Sequence, residues 1–125
     1  MLAALKRAFG GGDNGGNTAF RIVIVAAIIA AVGQVALGGV VRVTDSGLGC
    51  PDWPLCHGRL IPPFELHTLI EYSHRLSAST LGFLVLAATI IVWRDPWRST
   101  LAVGATTGAL ILVGVAAVLG GITVL

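Results

Sequence analysis

Long apolar stretches alternate with short polar segments along this chain. Ile22 to Val41 is twenty residues without a charged side chain, Leu76 to Trp93 is a second such stretch, and Ser99 to Leu125 is a third. Twenty residues make a helix about 30 Å long, which matches the hydrocarbon thickness of a bilayer. The pattern therefore predicts three membrane-spanning helices.

The second helix is expected to begin before its apolar stretch. Pro62 and Pro63 suit a helix start, and nothing after them breaks a helical pattern. We predict spans over about residues 22–41, 66–93 and 99–125, with a loop over about residues 42–65. The piece "GGGDNGGN" predicts a flexible lead-in over residues 1–20, which leaves 21–125 as the membrane domain. A signal peptide would have an apolar core of only about 7 to 15 residues.

Composition agrees with this class. The 125 residues are 55% hydrophobic and 11% charged, with a mean hydropathy of +0.89, whereas soluble domains carry about 25% charged residues. We expect an all-α polytopic membrane protein in contact with lipid. The net charge of +2 gives no case for binding nucleic acid.

The distribution of lysine and arginine predicts the orientation. Five of the eight basic residues precede the first span or lie in the short turn between the second and third spans: Lys6, Arg7, Arg21, Arg94 and Arg98. Basic residues concentrate on the cytoplasmic side of membrane proteins. The N-terminus is therefore expected to be cytoplasmic, and loop 42–65 to lie outside the cell membrane.

Spans one and three end alike, in Leu37-Gly38-Gly39-Val40 and Leu119-Gly120-Gly121-Ile122. Glycines let helices approach closely, and Gly104 with Gly108 is a further small-residue pair.

The likeness between the ends of spans one and three is either a coincidence of glycine-rich helices or an internal repeat. In a repeat, each outward helix is followed by an outer loop and a polar inward helix. The chain stops where the second such loop would begin, so we expect an incomplete protein or one that needs another chain.

Two cysteines, Cys50 and Cys56, enclose "PDWPL" in the predicted outer loop. A structural disulfide is favoured, because this side of the membrane permits oxidation. A zinc site with His57 and His67 has unusual spacing, and a catalytic dithiol would more usually be C-x-x-C. His57 itself is expected to be a solvated loop residue.

The start of the second span carries a polar face. His67, Glu71 and His74 recur at helical spacing, and Arg75 lies four residues after Glu71. Ionisable groups inside a membrane usually face the bundle interior and mark a site, which makes His74 a candidate iron ligand or proton carrier. In the alternative, Glu71 and Arg75 form only a solvated pair in the headgroup zone.

The segment "GGVVRVTDSGLGCPDWPLCHGRLIPP" followed by "IEYSHRL" resembles the haem A synthase family, which oxidises the C8 methyl of haem O to the formyl group of haem A for cytochrome oxidase. The resemblance runs from about Gly38 to Leu76 and extends weakly through "LGGITVL". It implies a haem-dependent oxidoreductase with two four-helix halves. One half holds the substrate haem O and the other a haem b cofactor, each between histidines.

Carried onto this chain, the resemblance implies that His74 is a haem-iron ligand and Glu71 the catalytic carboxylate. It also implies that Cys50 and Cys56 are the family's cysteine pair, and we expect Arg42 or Arg75 to contact a haem propionate. The three spans would form most of the substrate-side half. The fourth helix, with its histidine, and the haem b half would come from the missing part or from further copies of the chain.

A haem O synthase, as the source of the substrate, is an additional candidate partner. Two other functions remain open at this stage. One is a non-enzymatic haem-binding or electron-transfer subunit, which needs His74 but not Glu71. The other is an assembly protein held together by glycine packing, in which no histidine matters.

Overall fold

The computed structural model describes residues 15–95 and 99–125, with side chains from residue 18 onward. Three helices account for most of this part of the chain: α1 (Gly15–Val43), α2 (Leu66–Arg94) and α3 (Thr100–Ile122). Each is long and apolar enough to cross a membrane. The predicted all-α class with three candidate spans is confirmed.

The helix bounds differ in detail from the predicted spans. Residues 15–20, expected to belong to a flexible lead-in, form the first turns of α1, and residues 1–14 lie outside the described part of the chain. No proline occurs before Pro51 to stop the helix from extending beyond the apolar stretch. At the other end of the chain α3 stops at Ile122, three residues before Leu125.

Helix α3 begins with a capping residue, Ser99. The Ser99 side chain accepts a hydrogen bond from the Ala102 backbone N–H at 3.1 Å, which satisfies one of the free donors of the first turn of α3. Pro96, Trp97 and Arg98 lie outside the described residues.

Helix α2 packs against both α1 and α3 and is therefore the central helix. On the α3 side, buried Thr89 donates to the backbone carbonyl of Thr106 at 3.2 Å, and the Trp93 indole donates to Thr107 at 3.1 Å. Gly104 and Gly108 have no atom within 4 Å of where a Cβ would lie, so the expected close approach at this pair is not formed among the described residues. Hydroxyl hydrogen bonds, together with the contact of Gly82 with Val113, therefore join the two helices.

Large apolar side chains cover the outer faces of the helices. Val35 on α1, Phe83 on α2 and Leu101 on α3 are each more than 70% exposed. Such exposure would be costly in water, but lipid tails solvate these side chains. The bundle thus has the surface of a membrane protein.

The segment between α1 and α2, residues 44–65, is called here the disulfide loop. It folds over the end of the bundle where α1 ends and α2 begins, which is called the loop end below. Gly49 touches the first turn of α2 so closely that a Cβ there would collide with the His67 carbonyl group. A glycine is required at this contact, because any side chain would lift the loop from α2.

Candidate functional site

The His74 side chain lies at the interface between α2 and α1. Its Nε2 is 3.2 Å from the Gln34 amide nitrogen. A Cβ added to Gly38 would lie 3.3 Å from His74 Cε1, so the edge of the imidazole fills the space that this glycine leaves open. Gly38 and Gln34 are four residues apart and share one face of α1. The ring is thus held by two residues of the neighbouring helix.

Two polar atoms at this contact are buried without a partner among the described residues: His74 Nδ1 and Gln34 Oε1. Buried polar groups are nearly always hydrogen-bonded, and an unsatisfied one costs about 1–3 kcal/mol. Two such atoms on the two partners of one hydrogen bond therefore suggest a place where a further group completes the site.

Glu71 lies one helical turn before His74 and is 7% exposed. Its Oε1 accepts a hydrogen bond from Arg75 Nε at 2.9 Å, and its Oε2 accepts none among the described residues. The two side chains of this ion pair are only 10% and 14% exposed. The pair is therefore buried in the fold and differs from the solvated headgroup pair that was the alternative expectation.

Arg75 also connects α2 to the disulfide loop. Its guanidinium donates to three backbone carbonyls of the loop, those of Cys50 at 3.0 Å, Leu55 at 3.0 Å and Asp52. With Glu71 as the fourth acceptor, one guanidinium N–H is left for any other group. This side chain, named as a candidate propionate contact, is mainly occupied in holding the loop.

Cys50 and Cys56 form a disulfide, and both are almost completely buried. This agrees with the favoured prediction. Because the sulfurs are bonded to each other, they are not thiolate ligands for zinc. Residues 15–95 and 99–125 contain no group of three or more His, Cys, Asp or Glu side chains arranged to hold a metal ion.

The Asp52 side chain holds the turn that follows the disulfide ring, an arrangement called here the Asp52 clamp. Its carboxylate accepts hydrogen bonds from the backbone N–H groups of His57 at 2.6 Å and Gly58 at 2.7 Å. Both residues have positive φ, and the turn closes with a bridge between Cys56 and Arg59. The Gly58 N–H bond is the main cause that lowers the pKa of Asp52 below its usual 3.8. The carboxylate is therefore charged at neutral pH and stabilises an otherwise strained turn.

The other two histidines belong to the loop and not to the His74 contact. His57 Nε2–H donates to the Gly49 carbonyl at 3.0 Å, so this exposed ring is tied to the loop and is not simply solvated as expected. His67 is exposed and shares a hydrogen bond of 2.9 Å with the buried hydroxyl of Ser46. The predicted stripe of His67, Glu71 and His74 therefore divides into a loop contact, an ion pair and a helix–helix contact.

Two further contacts complete the loop end. Arg42, in the last turn of α1, is exposed, and its guanidinium makes no hydrogen bond to the described residues. The Trp53 ring packs on Gly121 of α3, where an added Cβ would lie 3.2 Å from the indole. The disulfide loop thus touches all three helices.

Three contacts were not predicted from the sequence: the hydrogen bond of Gln34 to His74, the Asp52 clamp and the packing of Trp53 on Gly121. A signal existed for Gln34, because it is the only amide side chain in an otherwise apolar stretch of twenty residues. The other two depend on how the loop folds back, which residue spacing does not reveal.

Known proteins resemble this chain over the same region. The profile of the COX15-CtaA family, described as cytochrome oxidase assembly protein, matches residues 21–125. The chain belongs to this haem A synthase family. No solved structure matches it.

The relatives are bacterial heme A synthases. The protein from Exiguobacterium sibiricum is 48% identical over 64 residues, which cover 47% of this chain and 22% of that protein. The one from Bacillus pumilus is 47% identical over 58 residues, covering 46% of the chain and 19% of its relative. The one from Lysinibacillus sphaericus is 42% identical over 73 residues, covering 54% and 24%. The matched part of this haem A synthase family member thus spans about a fifth of each relative's length.

Proposed function

We propose that the chain forms the substrate-side part of a haem A synthase, which oxidises the C8 methyl of haem O to the formyl group of haem A. The observation that carries the proposal is the half-buried His74 imidazole, held against α1 by Gln34, one turn after the buried carboxylate of Glu71. Family membership supplies the reaction, and the relatives named heme A synthase support it.

The residues around His74 fit a haem group. Imidazole is an axial ligand of haem iron, and here it lies in an apolar bundle beside a glycine. The orphaned Nδ1 and Gln34 Oε1 show that the described residues do not by themselves satisfy the site. His74 is the residue that would hold the iron. A partner histidine and a haem b site are expected outside this chain.

Glu71 is the proposed catalytic residue. With water as the source of oxygen, conversion of a methyl group to a formyl group, R–CH₃ + H₂O → R–CHO + 4 H⁺ + 4 e⁻, releases protons that a carboxylate can accept. The oxidant would be a membrane quinone, two molecules of which take up the four electrons and four protons. Glu71 Oε2, which accepts no hydrogen bond from the described residues, is the atom available for a proton. Bound haem would supply the redox-active iron.

Arg42 is the better placed of the two proposed propionate contacts. Its guanidinium is uncommitted among the described residues, whereas Arg75 keeps a single spare N–H. Arginine binds carboxylates through paired hydrogen bonds, so an uncommitted guanidinium at the loop end suits a propionate. In the proposed topology, the N-terminus is cytoplasmic and this end faces outward in the cell membrane. Haem O synthase is proposed to supply the substrate.

A second candidate is a haem-binding subunit without catalysis. It is favoured by the buried pair of Glu71 with Arg75, because this carboxylate also serves to anchor the disulfide loop. In that case Glu71 would be structural, and only His74 would matter for haem.

The two candidates are separated in a complete synthase that contains this chain. We expect Glu71→Gln to retain haem and accumulate unoxidised haem O, because the amide keeps the shape but cannot accept the proton. His74→Ala is expected to lower haem content itself. Haem content is measured from the absorption spectrum of the purified protein, and haem O and haem A are separated by chromatography of extracted pigment.

Arg59→Gln is the matched control, since it also removes a charge at the loop end but makes no side-chain hydrogen bond to the described residues. Normal haem A formation by Glu71→Gln would exclude the catalytic role and favour the second candidate. Unchanged haem content in His74→Ala would exclude both.

A further inference from the structure

Gln34 is a polar side chain well inside a membrane helix. It lies nine residues before Val43, the last residue of α1, so it is about 13 Å below the loop end of that helix. Amides at such depth usually bond to a neighbouring helix. The one hydrogen bond that the Gln34 side chain makes with the described residues is to His74 Nε2. Its orientation is therefore determined by the imidazole.

The direction of this hydrogen bond fixes the form of the ring. In the amide orientation that the structure gives, the nitrogen of Gln34 faces His74 Nε2, and because this nitrogen has no lone pair to accept with, it donates to Nε2. Nε2 must then be unprotonated, and in a neutral ring the proton is on Nδ1. The buried, partnerless Nδ1 is thus an N–H group, and Nε2 carries the lone pair.

We propose that Gln34 is a positioning residue that keeps His74 in the tautomer able to bind iron through Nε2. The amide donates to the lone pair while no iron is present, and it yields that lone pair when iron binds. Gly38 confines the ring from the same face of α1, so the ring orientation and its tautomer are set together. The iron part of this inference rests on the proposed function, whereas the tautomer part does not.

The tautomer is measured directly by nitrogen NMR. The full chain, with its three histidines labelled with ¹⁵N, is placed in lipid nanodiscs without haem. The His74 signals are identified by their absence in His74→Ala. We expect the resonance of an unprotonated Nε2 and a protonated Nδ1 in the unsubstituted chain.

Two substitutions separate the hydrogen bond from packing. Gln34→Met keeps the volume but removes the donor, and we expect it to give a mixture of the two tautomers. Gln34→Glu turns a donor into an acceptor, and we expect it to move the proton to Nε2. Val35→Met is the matched control on the exposed neighbour, and it should leave the His74 signals unchanged.

Haem titration of the same variants, each in a complete synthase that contains this chain, gives the second readout. Partners of a metal-binding histidine typically change metal affinity by about 10–100-fold when substituted. We expect Gln34→Glu to weaken haem binding at least about tenfold and Gln34→Met to weaken it less. A protonated Nε2 in the unsubstituted chain, or an unchanged tautomer in both variants, would overturn the proposal. If no sample binds haem but the NMR spectrum shows an unprotonated Nε2, the proposed function is overturned. The role of Gln34 in setting the tautomer is then still supported.

Discussion

A single arginine connects the candidate site to the loop above it. The planar guanidinium of Arg75 reaches Glu71 on one side and three loop carbonyls on the other. Lysine offers one compact ammonium and cannot span acceptors spread in this way. The position thus depends on the shape of the group as much as on its charge.

We therefore expect Arg75→Lys to destabilise the fold although the charge is kept. Loss of charge-assisted hydrogen bonds in a buried setting should lower the free energy of unfolding by about 2–3 kcal/mol. Equilibrium unfolding in mixed micelles measures this change. Arg59→Lys serves as the control, with an expected effect within about 0.5 kcal/mol. Equal effects of the two substitutions would show that the bonds of Arg75 contribute nothing specific.

At the scale of helices, adjacent glycines of α1 have different surroundings. A Cβ on Gly38 would lie 3.3 Å from the His74 ring, whereas a Cβ on Gly39 would meet nothing within 4 Å. The double glycine is therefore not a uniform small-residue surface. Gly38 leaves room for the imidazole, whereas Gly39 faces open space among the described residues.

This difference predicts opposite results for the same substitution. Gly38→Ala should press the imidazole away from α1 and reduce haem binding in a complete synthase. Gly39→Ala should leave haem binding unchanged and stabilise α1 by up to about 1 kcal/mol, because alanine favours a helix. Haem titration and thermal unfolding of the two variants measure these effects. Similar losses of haem from both would remove the special role of Gly38.

The sequence was informative about features that depend on short spacing. Uninterrupted apolar stretches predicted three spans, and the Cys50–Cys56 spacing favoured the disulfide. Spacing on α2 placed Glu71 and His74 close to each other, but their partners lie far away in the chain. Gln34 precedes His74 by 40 residues, and Cys50 precedes Arg75 by 25. Such pairs arise from the way the helices and loop pack, which helical periodicity does not encode.

At the scale of the whole molecule, α2 is the shared partner of α1 and α3, and the disulfide loop covers one end of all three. The candidate ligand, the carboxylate and the disulfide all lie toward this end. The orientation of the bundle therefore decides on which side of the membrane the site opens.

Cysteine labelling tests the proposed orientation. Leu60→Cys in the loop is expected to react with a membrane-impermeant maleimide in intact cells, because the loop faces outward in the proposed orientation. Thr100→Cys, at the opposite end of the bundle, should react only after permeabilisation. The native cysteines do not interfere, since both are in the disulfide. Labelling of Thr100→Cys from outside would reverse the orientation.

Because the Trp53 ring packs on Gly121, its fluorescence reports whether the disulfide loop is in contact with α3. An indole covered by backbone emits at shorter wavelengths than one in water, and a neighbouring disulfide quenches its emission. Of the three tryptophans, Trp53 lies within the Cys50–Cys56 ring and is 45% exposed, Trp93 lies at the far end of α2, and Trp97 lies outside the described residues. The chain thus carries a natural fluorophore at the point where its loop meets α3, and detachment of the loop would change both the colour and the brightness of that emission.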